Sequence, residues 1–179
     1  MTWQKLNSVE KYKNHYMTVT EDELITDHGD KVIFGVVHKI PGACIIPWNG
    51  EYFTLVGQYR YPVDASSWEF PAGHFEHESM ESTARTELEE EAGLLANEIK
   101  KIGQFQLGPG HHTQVINFFL ATGLTPGKQN LETAEKGMQI KQVTHEQLNQ
   151  MIKSGEVQDS LTIAGLKFFE LHQVDQKSH

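Results

Sequence analysis

The segment from Ser79 to Ala92 constrains the fold of this chain more than any other. It contains no Gly or Pro and is rich in Glu, Ala and Leu, a composition that favours an α-helix, and Ser79 is a suitable N-cap for it. At about 100° per residue, Glu87, Glu90 and Glu91 all fall on one side of this helix. The sequence therefore predicts a helix that carries three carboxylates on one face.

The apolar face of the same helix adjoins the acidic one. Ala84, Leu88 and Leu95 lie about 60–100° around the helix from Glu87, so the side that packs on the core is next to the carboxylates. A run of Glu is usually a solvated helix face. Here, however, Glu87 and Glu91 are four residues apart with no Lys or Arg between them on that face, and they repel each other. Carboxylates clustered at the margin of a core favour a hard divalent cation such as Mg²⁺ over a solvated face.

Strand and turn signals surround this helix. Residues 1–40 alternate polar and apolar groups and predict a small antiparallel β unit. The Asn49-Gly50 pair predicts a hairpin between the apolar runs 43–46 and 52–56. Further strands are predicted at 32–37, 68–70, 102–107, 115–122 and 139–143. Further helices are predicted from the capping box at Thr144 to about Ser154, and after Ser160. This order of elements predicts a mixed α/β core that follows a small β unit.

Charge and composition exclude several classes of protein. The net charge of −9 disfavours binding to nucleic-acid backbones. Because no run of 18 apolar residues and no apolar stretch of signal-peptide length occurs, we expect neither a membrane span nor export. The single cysteine, Cys44, cannot form an intramolecular disulfide and is expected in the core. These features favour a cytoplasmic protein.

Residues 73–94 resemble the Nudix box, Gly-x5-Glu-x7-Arg-Glu-(apolar)-x-Glu-Glu-x-Gly-(apolar). Gly73 matches the first glycine and Glu78 the first acid. The rest of the motif is matched by Glu87, Leu88, Glu90, Glu91, Gly93 and Leu94. Two departures are that only four residues separate Gly73 from Glu78, and that Thr86 replaces the motif's Arg, with Arg85 one position earlier. One position rotates a side chain by about 100° on a helix, so Arg85 cannot make the same ion pairs.

The resemblance extends over about residues 31–172. Residues 58–62 and 68–73 look like the Nudix subgroup that hydrolyses ADP-ribose and other nucleoside diphosphate sugars, and residues 154–166 resemble its ending. Pro109, fifteen residues after Leu94, matches a mark of the ADP-ribose type.

The resemblance implies a Nudix-type α/β/α sandwich with a mixed sheet, preceded by the small antiparallel β unit. It also implies a homodimer. Residues 1–40 would form the dimer contact and reach the partner's substrate site, and residues 41–179 would be the hydrolase domain.

The activity implied is Mg²⁺-dependent hydrolysis of the diphosphate linkage of ADP-ribose or a related sugar nucleotide, with Mn²⁺ as the alternative metal. The products would be a nucleoside monophosphate and a sugar phosphate. Two alternatives stay open: a GDP-mannose or other sugar-nucleotide pyrophosphatase, and a Nudix-like module that binds a nucleotide without cleaving it. The expected metal ligands are Glu87, Glu90, Glu91 and, by resemblance, the Ala72 carbonyl. The expected substrate contacts are Arg60, which would hold the diphosphate, and Glu69 and Pro109.

The general base is the part of the site where this chain departs from the family. Similar hydrolases carry an acid in the loop before the strand that begins near Gln139, and this chain has Met138 there. A thioether cannot take a proton from water. We therefore expect Glu135 to act as the base or as an extra metal ligand from a mobile loop, with Glu132 or Glu90 as the alternative.

Overall fold

The structure, a computed structural model, describes residues 2–76 and 78–177. Within these residues the chain forms ten strands and three α-helices in two compact units. The strands are β1 Gln4–Lys13, β2 Thr18–Ile25, β3 Lys31–His38, β4 Gly42–Pro47, β5 Tyr52–Arg60, β6 Ala65–Glu69, β7 Ala72–His74, β8 Leu94–Gln106, β9 Val115–Pro126 and β10 Gln139–Thr144. The helices are α1 Met80–Ala92, α2 His145–Ser154 and α3 Ser160–Lys177. The mixed α/β architecture expected from the sequence is thereby confirmed.

The first unit combines the chain up to Pro41 with residues Phe105–Ile116. β1, β2 and β3 form an antiparallel sheet in that order. The segment that follows β8 joins this unit through Val37, whose N–H donates to the carbonyl of His111 (2.8 Å) and whose carbonyl accepts from the N–H of Thr113 (3.1 Å). Residues distant in sequence therefore complete the unit that begins at the N-terminus.

The second unit contains Gly42–Gln104 and the chain from Asn117 onward. Its strands form two sheets, one in the order β10-β5-β6 and one in the order β7-β4-β9-β8. All six residues of β4 are buried, and both α1 and α3 pack on this strand. The four-stranded sheet and these helices therefore enclose the core.

The predicted hairpin between β4 and β5 is wrong. In the described part of the chain the two strands belong to different sheets, and an isolated antiparallel bridge joins Trp48, which follows β4, to Phe53. The local turn does form, because the Asn49 side chain accepts hydrogen bonds from the N–H groups of Glu51 and Tyr52. The reason for the error is that β7 and β9 occupy both edges of β4, so β5 pairs with β6 and β10 instead.

Helix α1 confirms the predicted start and end, and only the placement of Leu95 on its apolar face is wrong. The Ser79 hydroxyl accepts from the N–H of Ser82 (3.0 Å) as the expected N-cap. The helix ends at Ala92 because Gly93 adopts a left-handed conformation, φ 63°. Leu95, expected on the apolar face, instead lies on β8 and is 44% exposed.

The predicted starts of the other two helices agree with the structure, whereas β8 begins at Leu94, eight residues before the strand predicted at 102–107. Thr144 caps α2 by accepting from the N–H of Gln147 (3.2 Å), and α3 begins at Ser160. No helix in the two described ranges is long and apolar enough to cross a membrane.

Candidate active site

The candidate site lies where β7 meets the last turns of α1. β7 pairs with the buried strand β4, which places Ala72 opposite Cys44. The N–H of Ala72 donates to Oε2 of Glu91 (2.9 Å), and the Glu91 residue is only 2% exposed. A carboxylate from the helix is therefore held beneath the strand that carries the start of the box.

Gly73 and Glu87 are in close approach. A Cβ atom on Gly73 would overlap the Glu87 carboxylate. The first glycine of the box is therefore required by space, and its absent side chain is what lets Glu87 lie beside Glu91.

The environment of these two carboxylates is strongly negative. Burial, together with the charges of nearby acids, raises the pKa of Glu87 to about 7. Those acids are Glu90, Glu135, Glu76 and Glu132. Both the low dielectric and the like charges disfavour the ionised form of Glu87, which a nearby cation would favour.

Glu91 is perturbed in the same direction. Burial raises its pKa well above the ordinary value for a glutamate, and the charges of Glu87 and Glu135 add to this. The Ala72 amide and the Arg60 guanidinium act in the opposite direction but do not cancel the effect. Glu135 is thus near enough to influence both carboxylates.

Arg60 and Glu69 form an ion pair across β5 and β6. Nε of Arg60 lies 3.1 Å from each carboxylate oxygen of Glu69, and Nη2 also donates to Oε2. The Glu69 side chain is buried, and burial raises its pKa although Arg60 opposes the shift. Since Nε and Nη2 face Glu69, Nη1 keeps its N–H groups for another acceptor.

Glu135 lies in a short 3-10 turn, Thr133–Glu135, where Oε2 accepts from the N–H of Glu132 (2.9 Å). It lines a cavity of about 550 Å³ together with residues of β5, β6 and the loop that precedes β10. Met138, three residues later, packs in the hydrophobic core and is 8% exposed. The chain therefore uses this position for packing.

Arg85 does not support the acids, as the helix geometry predicts. It pairs with Glu81 (3.0 Å) and donates to the carbonyl of Ala96 (3.0 Å). Thr86, at the position of the motif's Arg, faces a smaller cavity of about 400 Å³. The other residues around that cavity are Glu89, Glu90, Lys128 and Asn130.

The structure brings together only part of the expected site. Glu87, Glu91, Ala72, Arg60 and Glu69 lie close to one another, as the contacts above show. Within the described residues, no group of three or more His, Cys, Asp or Glu side chains is already arranged to hold a metal ion. Glu90 and Glu135 contribute negative charge near Glu87. Pro109 belongs to the first unit, where it lies in a loop closed by a hydrogen bond from the N–H of Leu107 to the carbonyl of Gln114 (3.1 Å).

Two features near the site were missed by sequence reasoning. The N–H of Phe70, next to Glu69, donates to the Thr162 hydroxyl (2.8 Å), and Thr162 in turn donates to Asp159 (2.7 Å). The position of Asp159 before α3 is an N-cap signal that indicates its bond from the N–H of Thr162 (2.7 Å) but neither of the two hydroxyl bonds. The other feature is the segment after β9, whose Gln129 contacts α1, and it has no signal in the sequence.

Comparisons with known proteins place this chain in a family. Residues 38–176 match the model of the NUDIX domain. An ADP-ribose pyrophosphatase of Bacillus subtilis (strain 168) is 33% identical over 124 residues, 68% of this chain and 67% of that protein. A GDP-mannose pyrophosphatase of Enterobacter sp. (strain 638) is 27% identical over 140 residues, 73% of each chain.

A solved structure, described as an ADP compounds hydrolase, has the same fold. The TM-score is 0.87 at 18% identity, over 98% of this chain and 96% of the other. The helix acids, the close approach at Gly73 and the 139-residue match to the family model agree with one another. The chain belongs to the NUDIX family and is a Nudix hydrolase.

Proposed function

We propose that this hydrolase cleaves the diphosphate linkage of a nucleoside diphosphate sugar, with ADP-ribose as the first candidate. A water oxygen would attack one phosphorus, the bridging P–O bond would break, and a nucleoside monophosphate and a sugar phosphate would leave. The observation that carries the proposal is the buried pair Glu87 and Glu91 in the Nudix box, beside Arg60. The ADP-ribose pyrophosphatase relative supports the choice of substrate.

The residues present fit a hard divalent cation, Mg²⁺ or alternatively Mn²⁺. The donors are all oxygens, which these ions prefer, and two of the carboxylates are buried with raised pKa values. We propose that Glu87, Glu90, Glu91 and the Ala72 carbonyl would hold the ion. When bound, it would offset the repulsion between these acids and the diphosphate and stabilise the charge that develops on the leaving phosphate.

The other residues have distinct proposed roles. Arg60 would bind a diphosphate oxygen through Nη1, and Glu69 would orient its guanidinium. Glu135 would take the proton from the attacking water, since it lines the 550 Å³ cavity and interacts electrostatically with both buried acids. Glu90 is the alternative proton acceptor. Pro109 stays a proposed substrate contact, on the resemblance alone.

A second candidate substrate is GDP-mannose. The GDP-mannose pyrophosphatase of Enterobacter matches nearly three quarters of the chain, and the acidic site described here would serve either sugar nucleotide. Membership of a hydrolase family favours an enzyme over the nucleotide-binding module that was the other alternative.

We also propose that the active form is a homodimer in which residues 1–40 contribute to the partner's substrate site. The support is the subgroup resemblance and the exposed apolar side chains of β1.

The net charge of −9 supports a small-molecule substrate over a nucleic acid.

The proposal is tested by measuring the release of nucleoside monophosphate and sugar phosphate from ADP-ribose, ADP-glucose, GDP-mannose and UDP-glucose, with and without Mg²⁺. We expect Mg²⁺-dependent cleavage with the highest kcat/KM for ADP-ribose. Preference for GDP-mannose would select the second candidate, and no cleavage of any sugar nucleotide would refute both.

Glu91→Gln tests the role of the helix acids. We expect kcat to fall by about 100-fold, because a charged metal ligand is removed, while the protein stays folded, since the glutamine carbonyl still accepts from Ala72. Glu89→Gln is the matched control, because Glu89 is two residues away and accepts from the N–H of Lys128 instead (3.4 Å). Equal loss of activity in both variants would contradict the assignment.

A further inference from the structure

The segment that follows β9, residues 127–130, runs along the last turn of α1. The N–H of Gly127 donates to the carbonyl of Gly93 (2.8 Å). The N–H of Asn130 donates to the carbonyl of Glu90 (3.0 Å), and Nε2 of Gln129 donates to the carbonyl of Glu91 (2.7 Å). A loop distant in sequence thus donates hydrogen bonds to main-chain carbonyls at the end of the helix.

Two of these hydrogen bonds are accepted by the carbonyls of proposed metal ligands, Glu90 and Glu91. The last four carbonyls of a helix have no partner within the helix. Two of them here belong to Glu90 and Glu91, the adjacent residues whose side chains are proposed metal ligands. Since a peptide carbonyl and its side chain are attached to the same backbone, fixing the carbonyl restricts the direction in which the carboxylate can point.

Gln129 is an exposed residue whose backbone lies beside the end of the helix. A Cβ atom on Gly93 would lie 3.4 Å from the backbone nitrogen of Gln129 and 3.6 Å from its Cβ. A side chain at residue 93 would therefore be in ordinary van der Waals contact with this segment. From this neighbouring backbone the amide of Gln129 reaches the Glu91 carbonyl.

This arrangement matters because the motif's Arg is missing. Thr86 is at that position, and Arg85 is committed to Glu81 and Ala96. Neither residue supports the acids, so their orientation must depend on contacts from elsewhere in the chain. The segment 127–130 makes contacts of this kind with the last turn.

We propose that Gln129 is a positioning residue for the metal ligands. By holding the Glu91 carbonyl it sets the last turn of α1 so that the carboxylates of Glu90 and Glu91 are directed at one divalent cation. The proposal rests on the metal site of the proposed function and adds to it a residue that touches neither metal nor substrate.

The test measures Mg²⁺ binding to the full-length protein by calorimetry, without substrate, for wild type and Gln129→Met. Methionine has nearly the same length as glutamine but cannot donate to the Glu91 carbonyl. We expect the Kd for Mg²⁺ to rise by about 10–100-fold, as is typical when a partner of a metal ligand is removed. We expect kcat at saturating Mg²⁺ to change little, because the ligands themselves remain.

Two controls separate positioning from general damage. Gln104→Met makes the same change at an exposed residue of β8, where the side chain accepts from Lys101 (2.6 Å). Ile99→Val removes one methyl group from the buried core and lowers stability without touching segment 127–130. Both should bind Mg²⁺ as wild type does.

Three results would overturn the proposal. Wild-type affinity in Gln129→Met would show that the contact does not position the ligands. Equal weakening in Ile99→Val would show that stability alone accounts for the effect. If wild type itself bound no Mg²⁺, the metal site of the proposed function would fail and this inference with it, and that outcome is distinct from the other two.

Discussion

At the scale of single residues, Gly73 shows how the site depends on an absent side chain. The Glu87 carboxylate occupies the space where a Cβ of residue 73 would lie. Because β7 is held against β4, Gly73 cannot easily move away. An added methyl group would therefore displace Glu87.

We expect Gly73→Ala to lower kcat/KM by about 100-fold, since misplacing a reacting group by about 1 Å has an effect of that size. Circular dichroism should show an intact fold, because the clash is with the end of a side chain. Gly35→Ala on β3 is the control for the fold, since a Cβ there meets nothing within 4 Å. Wild-type activity in Gly73→Ala would mean that Glu87 is not needed where the structure places it.

The same scale shows which residues the sequence predicts well. Helical periodicity correctly predicts that Glu87 and Glu91 share a face and that Arg85 points elsewhere, because these are relations within one helix. It does not predict Gln129, whose bond to Glu91 joins residues 38 positions apart. Such a contact depends on how β9 leaves the sheet, and no local pattern encodes it.

At the scale of elements, the starts and ends of helices are predicted well and strand pairing is not. Ser79 and Thr144 cap α1 and α2 as expected, because capping is decided by residues three positions apart. The hairpin at Asn49-Gly50 fails because the neighbours of β4 are chosen by the whole sheet. The early start of β8 at Leu94 is missed because an exposed strand lacks a strong apolar alternation.

Pairing of β1 with β2 is reinforced by a buried carboxylate. Asp22 on β2 accepts hydrogen bonds from Ser8 and from Lys5 (3.0 Å), both on β1. These bonds, with Ser8 contributing most, lower the pKa of Asp22 to about 2. The ionised form therefore stabilises the sheet.

This contribution should depend on pH in a defined direction. A lowered pKa stabilises the folded state above the ordinary value near 4, and the contribution is lost as pH falls through about 2. We expect the free energy of unfolding to fall less steeply between pH 4 and pH 2 in Asp22→Asn than in wild type. Urea unfolding at several pH values measures the free energy of unfolding of both proteins, and Asp30→Asn in the β2–β3 turn is the control. Identical slopes in wild type and Asp22→Asn would contradict the expectation.

At the scale of the whole molecule, the N-terminal sheet has an exposed edge. β1 is the outer strand of its sheet, and all of its residues are exposed in the single chain. Leu6, Val9 and Tyr12 on this strand are 47%, 43% and 54% exposed. An exposed edge strand with apolar side chains tends to pair with another strand or to be buried by another chain. We propose that a second copy of this chain buries β1.

The homodimer is tested at Val9. We expect Val9→Lys to raise the dimer Kd by about tenfold or more, because a charge must be buried where an apolar side chain was. Lysine is tolerated in the single chain, since Val9 is paired with Glu21 across the sheet. Ile163→Lys is the matched control, because Ile163 is 40% exposed on α3 in the other unit. Analytical ultracentrifugation measures both variants, and activity measured over the same concentration range tests whether the dimer contributes to the substrate site. A monomeric wild type, or an undiminished dimer in Val9→Lys, would contradict a dimer formed through β1.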